Sequence, residues 1–343
     1  MIEQAIERFL VVGPVALLAF VICLVLMVVL QPWLARYAMA RPNARSSHRQ
    51  PTPQGGGISV VVATFVVAWA TVATSPALLD NEGGQFVALT ATAALLGVVG
   101  VIDDLRSLPA AMRLAIQCIA VGVLIAALPH QLRVLPQVPW WLERVGLLVG
   151  GVWLVNLVNF MDGIDWMTVA ELVPVTGAIV LLGLAGAVAL WPAVIAAALL
   201  GAILGFAPFN KPVARVFLGD VGSLPIGLLL GWLLLRLAAH DHLAAAVILP
   251  LYYLADATIT LTRRVVRREP FWQAHRQHFY QRATDNGFSV PAIVARVFLV
   301  NVALAALAAI SVAGDSTAVS LAMLAAASAA VAWLLLIFAR AKP

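Results

Sequence analysis

Charge is what this chain has least of. Lys, Arg, Asp and Glu make up 11% of its 343 residues, 21 basic and 16 acidic, where soluble domains carry about a quarter. So thin a supply cannot cover a water-facing surface of this size, which excludes soluble globular, disordered and coiled-coil architectures. Cysteine is nearly absent as well. Cys23 and Cys118 both fall in apolar runs without CxxC or Cys/His spacing, which leaves no disulfide framework and no cysteine metal site. What is plentiful is apolar: 63% of residues are hydrophobic and the mean hydropathy is +0.99. A net charge of +5 would suggest nucleic acid in a soluble protein. In a membrane protein it reads as anchoring charge, with no nucleic-acid partner.

Apolar stretches separated by charged or Pro/Gly-rich punctuation predict spans near 11–32, 57–76, 85–102, 112–129, 144–161, 167–185, 188–208, 221–239, 243–262, 291–312 and 317–338. Each is close to the ~20 residues that cross ~30 Å of hydrocarbon. The predicted fold is all-α, a polytopic integral membrane bundle of about 11 helices forming one domain over residues 1–343. Glu3 and Glu7 stand against Arg8 before the first apolar run, so the N-terminus reads as a span rather than a cleaved signal. With the loop after the first span on the cytoplasmic side, seventeen Lys and Arg fall inside. Only Arg8, Arg133, Arg144 and Arg236 fall outside. That bias predicts N-terminus out and C-terminus in.

Acidic residues do not obey that rule, so their placement carries separate information. Asp103-Asp104, Asp162, Asp165 and Asp220 sit at cytoplasmic ends of three helices, each among glycine, asparagine and apolar residues. The first loop runs RPNARSSHRQPTPQGGGIS (41–59) into Gly55-Gly56-Gly57. Glycine at a helix start suits either close approach of an anion or a tight loop-to-helix entry. Asp103 and Asp104 repel one another unless a cation, an arginine or a shared proton compensates, although Arg106 and Arg113 nearby also suit a solvated helix end. Asn156, Asn159 and Asp162 are spaced to line one helical face, and polar groups in a bundle need partners. Asp220 lies between Gly219 and Gly222, and residues 263–282 carry six arginines with His275, His278 and Tyr280. Aspartates and arginines gathered at one face suit an anionic phosphate substrate bridged to carboxylates by a divalent ion. The residues therefore point to metal-assisted phosphoryl transfer at the cytoplasmic surface, with a lipid as one reactant.

RSSHRQPTPQGGG, VIDD, NFMDGID, FLGDVGS and HRQHFYQRA, in that order and on one side, resemble the motifs of the polyprenyl-phosphate N-acetylhexosamine-1-phosphate transferases. This is the glycosyltransferase family 4 type, and HRQHFYQRA is similar to its O-antigen-initiating branch. The resemblance implies a bundle with a cytoplasmic cleft in the bacterial inner membrane, formed by loops 33–56, 103–111, 162–166, 209–220 and 263–290. It implies transfer of a sugar-1-phosphate from a UDP-N-acetylhexosamine to undecaprenyl phosphate with release of UMP. Mg²⁺ is the implied cofactor, with Mn²⁺ as the alternative, and a homodimer is among the assemblies it allows. By the same resemblance Asp220 and Asn159 are metal ligands, while Asp103, Asp104 and Asp162 are catalytic, the first two engaging the lipid phosphate. Asp165, Asn210 and Phe217 match nucleotide-pocket positions, and His275, Arg276 and His278 match the loop that contacts the diphosphate and sugar. The chain departs from the family pattern in two places. Ala40-Arg41 stands where an acidic residue is common, and Trp166 stands where glycine is common. The alternative from another class is an ion-coupled transporter of an anionic metabolite, for which Asp256 is the intramembrane carboxylate.

Overall fold

The computed structural model describes residues 2–40, 51–270 and 275–340. Arg41, Arg45, His48 and Arg49 of the first basic loop, and residues 271–274 of the last, lie outside the described residues. The helices are α1 (Ile2–Tyr37), α2 (Gly57–Thr74), α3 (Gly83–Leu105), α4 (Ala110–Ala126), α5 (Trp140–Met161), α6 (Met167–Leu184) and α7 (Leu190–Asn210). They continue as α8 (Asp220–Leu237), α9 (Leu243–Ile248), α10 (Leu251–Val266), α11 (Phe279–Asp285), α12 (Val290–Ala313) and α13 (Thr317–Ala339). Two short strands, β1 (Met39–Ala40) and β2 (Thr52–Pro53), pair antiparallel. The fold is all-α and polytopic, and among the described residues nine helices are long and apolar enough to cross a membrane.

The expected spans differ from the observed helices in two ways. The segment expected at 112–129 is a 17-residue helix, α4. The segment expected at 243–262 is broken: His240 and Asp241 leave helical geometry after α8, and Pro250 separates α9 from α10. Proline has no N–H for the ladder, and α10 carries Asp256, Thr260, Arg263 and Arg264 among its apolar residues. The division near 186 is real, with a turn at Gly186 between α6 and α7.

Helices α7 and α8 are almost wholly buried, while α1, α5 and α13 leave most of their surface to the surroundings. Water-free helix contacts rest on close packing of small residues. A Cβ on Gly201 would stand 2.0 Å from Ala16 O and one on Gly205 2.6 Å from Phe20 O, so α1 lies backbone to backbone on α7. Some polar groups inside the bundle pair across helices. Asn301 Nδ2 of α12 donates to Glu171 Oε2 of α6 at 2.6 Å, which adds a second buried carboxylate to the Asp256 expected from the sequence. At the end of the bundle remote from Asp220, Arg236 Nη2 of α8 donates to Glu82 Oε1 at 2.9 Å.

Candidate active site

The site is built outward from the first turn of α8. Residues 217–219 arrive pinned from both sides. Phe217 donates its N–H to Pro53 O (2.8 Å), while Gly56 and Gly57 donate theirs to Phe217 O (2.9 Å) and Leu218 O (2.8 Å). A Cβ on Gly57 would lie 2.2 Å from Gly222 Cα. Of the two readings open for the glycine run, tight entry into the helix is the one observed, because these two N–H groups are spent on carbonyls. Gly219 then turns with φ +76, a left-handed value that glycine adopts without strain.

Asp104 supplies what the start of α8 lacks. First-turn N–H groups have no partner within their own helix. Asp104 Oδ1 accepts from Asp220 N (3.0 Å) and Oδ2 from Val221 N (3.2 Å), a placement the helix dipole also favours. Gly100 on α3 permits the approach, since a Cβ there would stand 2.4 Å from Asp220 O. Gln54 Nε2 donates to Asp104 O at 2.7 Å and ties the strand segment to the same point.

So placed, the Asp220 side chain meets α3, α4 and α5. Asn159 Nδ2 donates to Asp220 Oδ1 (2.7 Å) and to Ser223 Oγ (2.9 Å). Arg113 Nη1 is 2.6 Å from Asp103 Oδ2 and 3.6 Å from Asp220 Oδ2. Asp103 Oδ1 accepts from Leu108 N at 2.6 Å, and its carboxyl is close enough to that of Asp220 to interact directly. Two carboxylates, Asp103 and Asp220, thus face one guanidinium. Arg113 was not among the expected site residues, although its position ten residues after Asp103 was a usable signal. Asn156, on the same face as Asn159, turns instead to Gln117 of α4, donating to Oε1 at 2.6 Å.

The turn between α5 and α6 forms the next wall. Thr168 Oγ1 donates to Asp162 Oδ1. Burial pushes the Asp162 carboxyl up to about 6, the charges of Asp104 and Asp165 add to the rise, and the Thr168 bond opposes it. Asp165 is buried and its Oδ2 accepts from Ala214 N at 3.0 Å. Trp166 sits at φ +62, which gives the glycine common at this position in the family pattern a conformational reason. The tryptophan is held by its N–H to Asn210 Oδ1 (2.8 Å) and its Nε1 to Ala207 O (2.6 Å). Asn210 Nδ2 donates to Val216 O at 3.0 Å. Asn210 therefore joins two loops, with both ends of its amide bonded to backbone.

The last wall comes from 275–285. His278 and Tyr280 are buried; Tyr280 Oη donates to Phe160 O at 3.0 Å, and Gly163 leaves room for that hydroxyl. The His278 ring stacks on His275 at 4.9 Å and on Tyr280 at 5.8 Å between centroids. Arg276 Nη2 is directed along α11 to Thr284 Oγ1 (3.3 Å) and Asp285 Oδ1 (3.5 Å). Fully buried Asp256 accepts from Phe279 N (2.9 Å), Tyr280 N (3.2 Å) and the Tyr252 hydroxyl (3.3 Å). The structure therefore brings Asp103, Asp104, Asn159 and Asp220 to one point, with Asp162 and Asp165 on the adjoining turn. It places Asn210 and Phe217 in the scaffold beneath, and His275, Arg276 and His278 on a separate wall beside Phe160. Among the described residues no three His, Cys, Asp or Glu side chains are grouped as a metal cage. The oxygen donors of Asp103 and Asp220 suit a hard cation that takes its other ligands from water and phosphate.

Residues 86–238 match the profile of glycosyl transferase family 4. Over that segment the chain is similar to that family. Its similarity to a probable undecaprenyl-phosphate N-acetylglucosaminyl 1-phosphate transferase of Bacillus subtilis is 24% identity over 299 residues, 82% of this chain and 81% of that protein. A decaprenyl-phosphate N-acetylglucosaminephosphotransferase of Mycolicibacterium smegmatis is 33% identical over 215 residues, covering 57% of this chain and 52% of the relative. A phospho-N-acetylmuramoyl-pentapeptide-transferase of Mycolicibacterium gilvum is 28% identical over 319 residues, 74% of this chain and 87% of that protein. The chain thus spans about half the length of the smegmatis relative and most of the other two. The family 4 match runs from α3 through α8 and takes in every carboxylate around Asp220. Asp256 and the 275–278 segment lie beyond it.

Proposed function

We propose that this protein transfers an N-acetylhexosamine-1-phosphate from a UDP-sugar to undecaprenyl phosphate at the cytoplasmic face of a bacterial inner membrane, releasing UMP and starting a lipid-linked glycan such as O-antigen. The observation that carries the reading is the meeting of Asp103, Arg113, Asn159 and Asp220 from four helices at one end of the bundle. The names of the relatives agree with it: a polyprenyl phosphate and a hexosamine phosphate recur in them. In the reaction an oxygen of the lipid phosphate bonds to the β-phosphorus of the donor, and the bond from that phosphorus to the bridging oxygen breaks, so that UMP leaves with the electron pair. A lipid phosphate monoester is largely ionised near neutral pH, so a single displacement needs no prior proton removal.

Asp220 and Asp103 would hold Mg²⁺, with the Asn159 amide turned to present its oxygen. Bound there, the ion would offset the charge that develops on the diphosphate. Asp104 keeps Asp220 in place through the start of α8. Arg113, which stands beside Asp103 and Asp220, would hold a phosphate oxygen of the substrates. Purified protein with Mg²⁺, undecaprenyl phosphate and a panel of UDP-N-acetylhexosamines should release UMP, and EDTA should stop it. Asp220→Ala should abolish release while the protein stays monodisperse. Turnover retained in that variant, or in EDTA, would sink the assignment of Asp220. The transporter alternative loses support, because Asp256 is engaged with the 278–280 segment and Glu171 with Asn301.

A further inference from the structure

Asp256 lies in the interior of α10, is fully buried, and belongs to no motif that drew attention to the site. An isolated carboxylate in such a position is costly, so it needs partners. It has five donors. Besides the N–H groups of Phe279 and Tyr280 and the Tyr252 hydroxyl, Thr260 Oγ1 reaches Oδ1 at 3.4 Å and His278 Nδ1 reaches it at 3.2 Å. The last of these differs from the rest. Backbone and hydroxyl donors only fix the segment in space, whereas a bond at one ring nitrogen also decides which nitrogen carries the proton. Oδ1 of Asp256 already accepts from Phe279 N and Thr260 Oγ1, and an oxygen gathering N–H and O–H donors assigns the same role to His278 Nδ1. The other nitrogen, Nε2, has no partner among the described residues. The His278 ring stacks on His275 and Tyr280 and stands 6.4 Å from Phe160, the neighbour of Asn159.

We infer that Asp256 is a positioning residue for the proposed transfer, holding His278 with its Nδ1 proton bound and Nε2 as the ring atom left to meet the nucleotide-sugar. The inference rests on the reading of His278 as a substrate-binding residue, yet one of its tests does not require turnover. Asp256→Asn leaves size and shape unchanged but brings an N–H₂ group that can donate to Nδ1 and so reverse the tautomer. An analogous exchange in a Ser-His-Asp triad costs roughly 10⁴-fold in kcat. A loss on the order of 100-fold or more is expected here.

The experiment uses the full chain in detergent with ¹⁵N-labelled histidine, the His278 signals being identified by their disappearance in His278→Gln. Wild type should carry a proton on Nδ1, and Asp256→Asn should lose it. In parallel, Asp256→Asn should lower kcat with little change in KM for the lipid phosphate, and Asp256→Glu should recover at least about tenfold of the loss. Asp256→Asn combined with His278→Gln should be no slower than His278→Gln alone, because both act through one ring. Thr260→Val, which removes another donor to the same carboxylate, should stay within about threefold of wild type. An unprotonated Nδ1 in wild type overturns the inference, and so do multiplicative losses in the double variant. If wild type shows no turnover with any donor, the transferase reading fails, while the tautomer measurement still decides the role of Asp256.

Discussion

Replacing Gly57 with alanine adds one methyl group at the tightest contact around the site. That carbon would lie 2.2 Å from Gly222 Cα, 2.5 Å from Gly222 N and 2.9 Å from Leu218 O. All three are backbone atoms, and none can rotate away. Ordinary carbon contacts are about 3.5–4.0 Å, so α2 and α8 must part by more than an ångström. Overpacking of this kind costs about 1–3 kcal/mol. Separation also stretches the bonds from Gly56 N to Phe217 O (2.9 Å) and Gly57 N to Leu218 O (2.8 Å), each worth roughly 1 kcal/mol net. The expected total is about 3–5 kcal/mol. At about 2–4 °C for each kcal/mol, the midpoint should fall by roughly 6–20 °C. Gly84→Ala is the control, since a Cβ there meets nothing within 4 Å; it should leave the midpoint unchanged or raise it slightly. Both are read as thermal melts in detergent followed by size-exclusion chromatography, alongside UMP release. Gly57→Ala should lose stability and turnover together, because the first turn of α8 carries Asp220. A variant that melts like wild type yet cannot turn over would refute the packing argument and return the glycine run to a role in anion binding.

Two more outcomes follow from the turn between α5 and α6. Asp162 is raised from 3.8 to about 6, so below about pH 4 it is protonated in both folded and unfolded chains and affects stability little. As pH rises from about 4 to 6 the unfolded chain ionises first, and above 6 the folded state bears a full cost on the order of 2–3 kcal/mol. In EDTA, Asp162→Asn should therefore melt higher than wild type at pH 7.5, with the gap shrinking by more than half at pH 4.5; a gap independent of pH contradicts the burial argument. Trp166→Gly relieves a left-handed backbone costing about 1 kcal/mol but gives up the indole bond to Ala207 O at 2.6 Å, worth about as much. Its melting should stay close to wild type while its preference across a UDP-sugar panel changes, and an unchanged preference would remove Trp166 from the donor pocket.

Much of the site was legible along the chain because its chemistry leaves compositional traces. Asp103, Asp162 and Asp220 stand out since a carboxylate among apolar residues at a span end needs a reason, and Asn159 shares a helical face with Asp162. Arg113 was harder to place because its charge serves equally well as a topology signal. The role of the glycine run and of Asn210 could not be read from residue type. A glycine N–H or a carboxamide looks the same whether it meets a ligand or a carbonyl from another loop. Likewise α10 reads as one apolar stretch with α9, and the break between them at Pro250 is seen only in the structure.

By itself the sequence determined that lipid is the solvent of this protein, because 37 charges cannot cover 343 residues in water, and that its acidic groups gather at the ends of spans. Only the tertiary structure decided what each carboxylate does. Asp104 closes the start of a helix 116 residues away, Asp103 faces an arginine, and Asp256 holds a histidine 22 residues on. A hydrogen-bonding group has few lone pairs, and which of them remain for a substrate depends on partners that only the packing of distant helices brings within 3 Å.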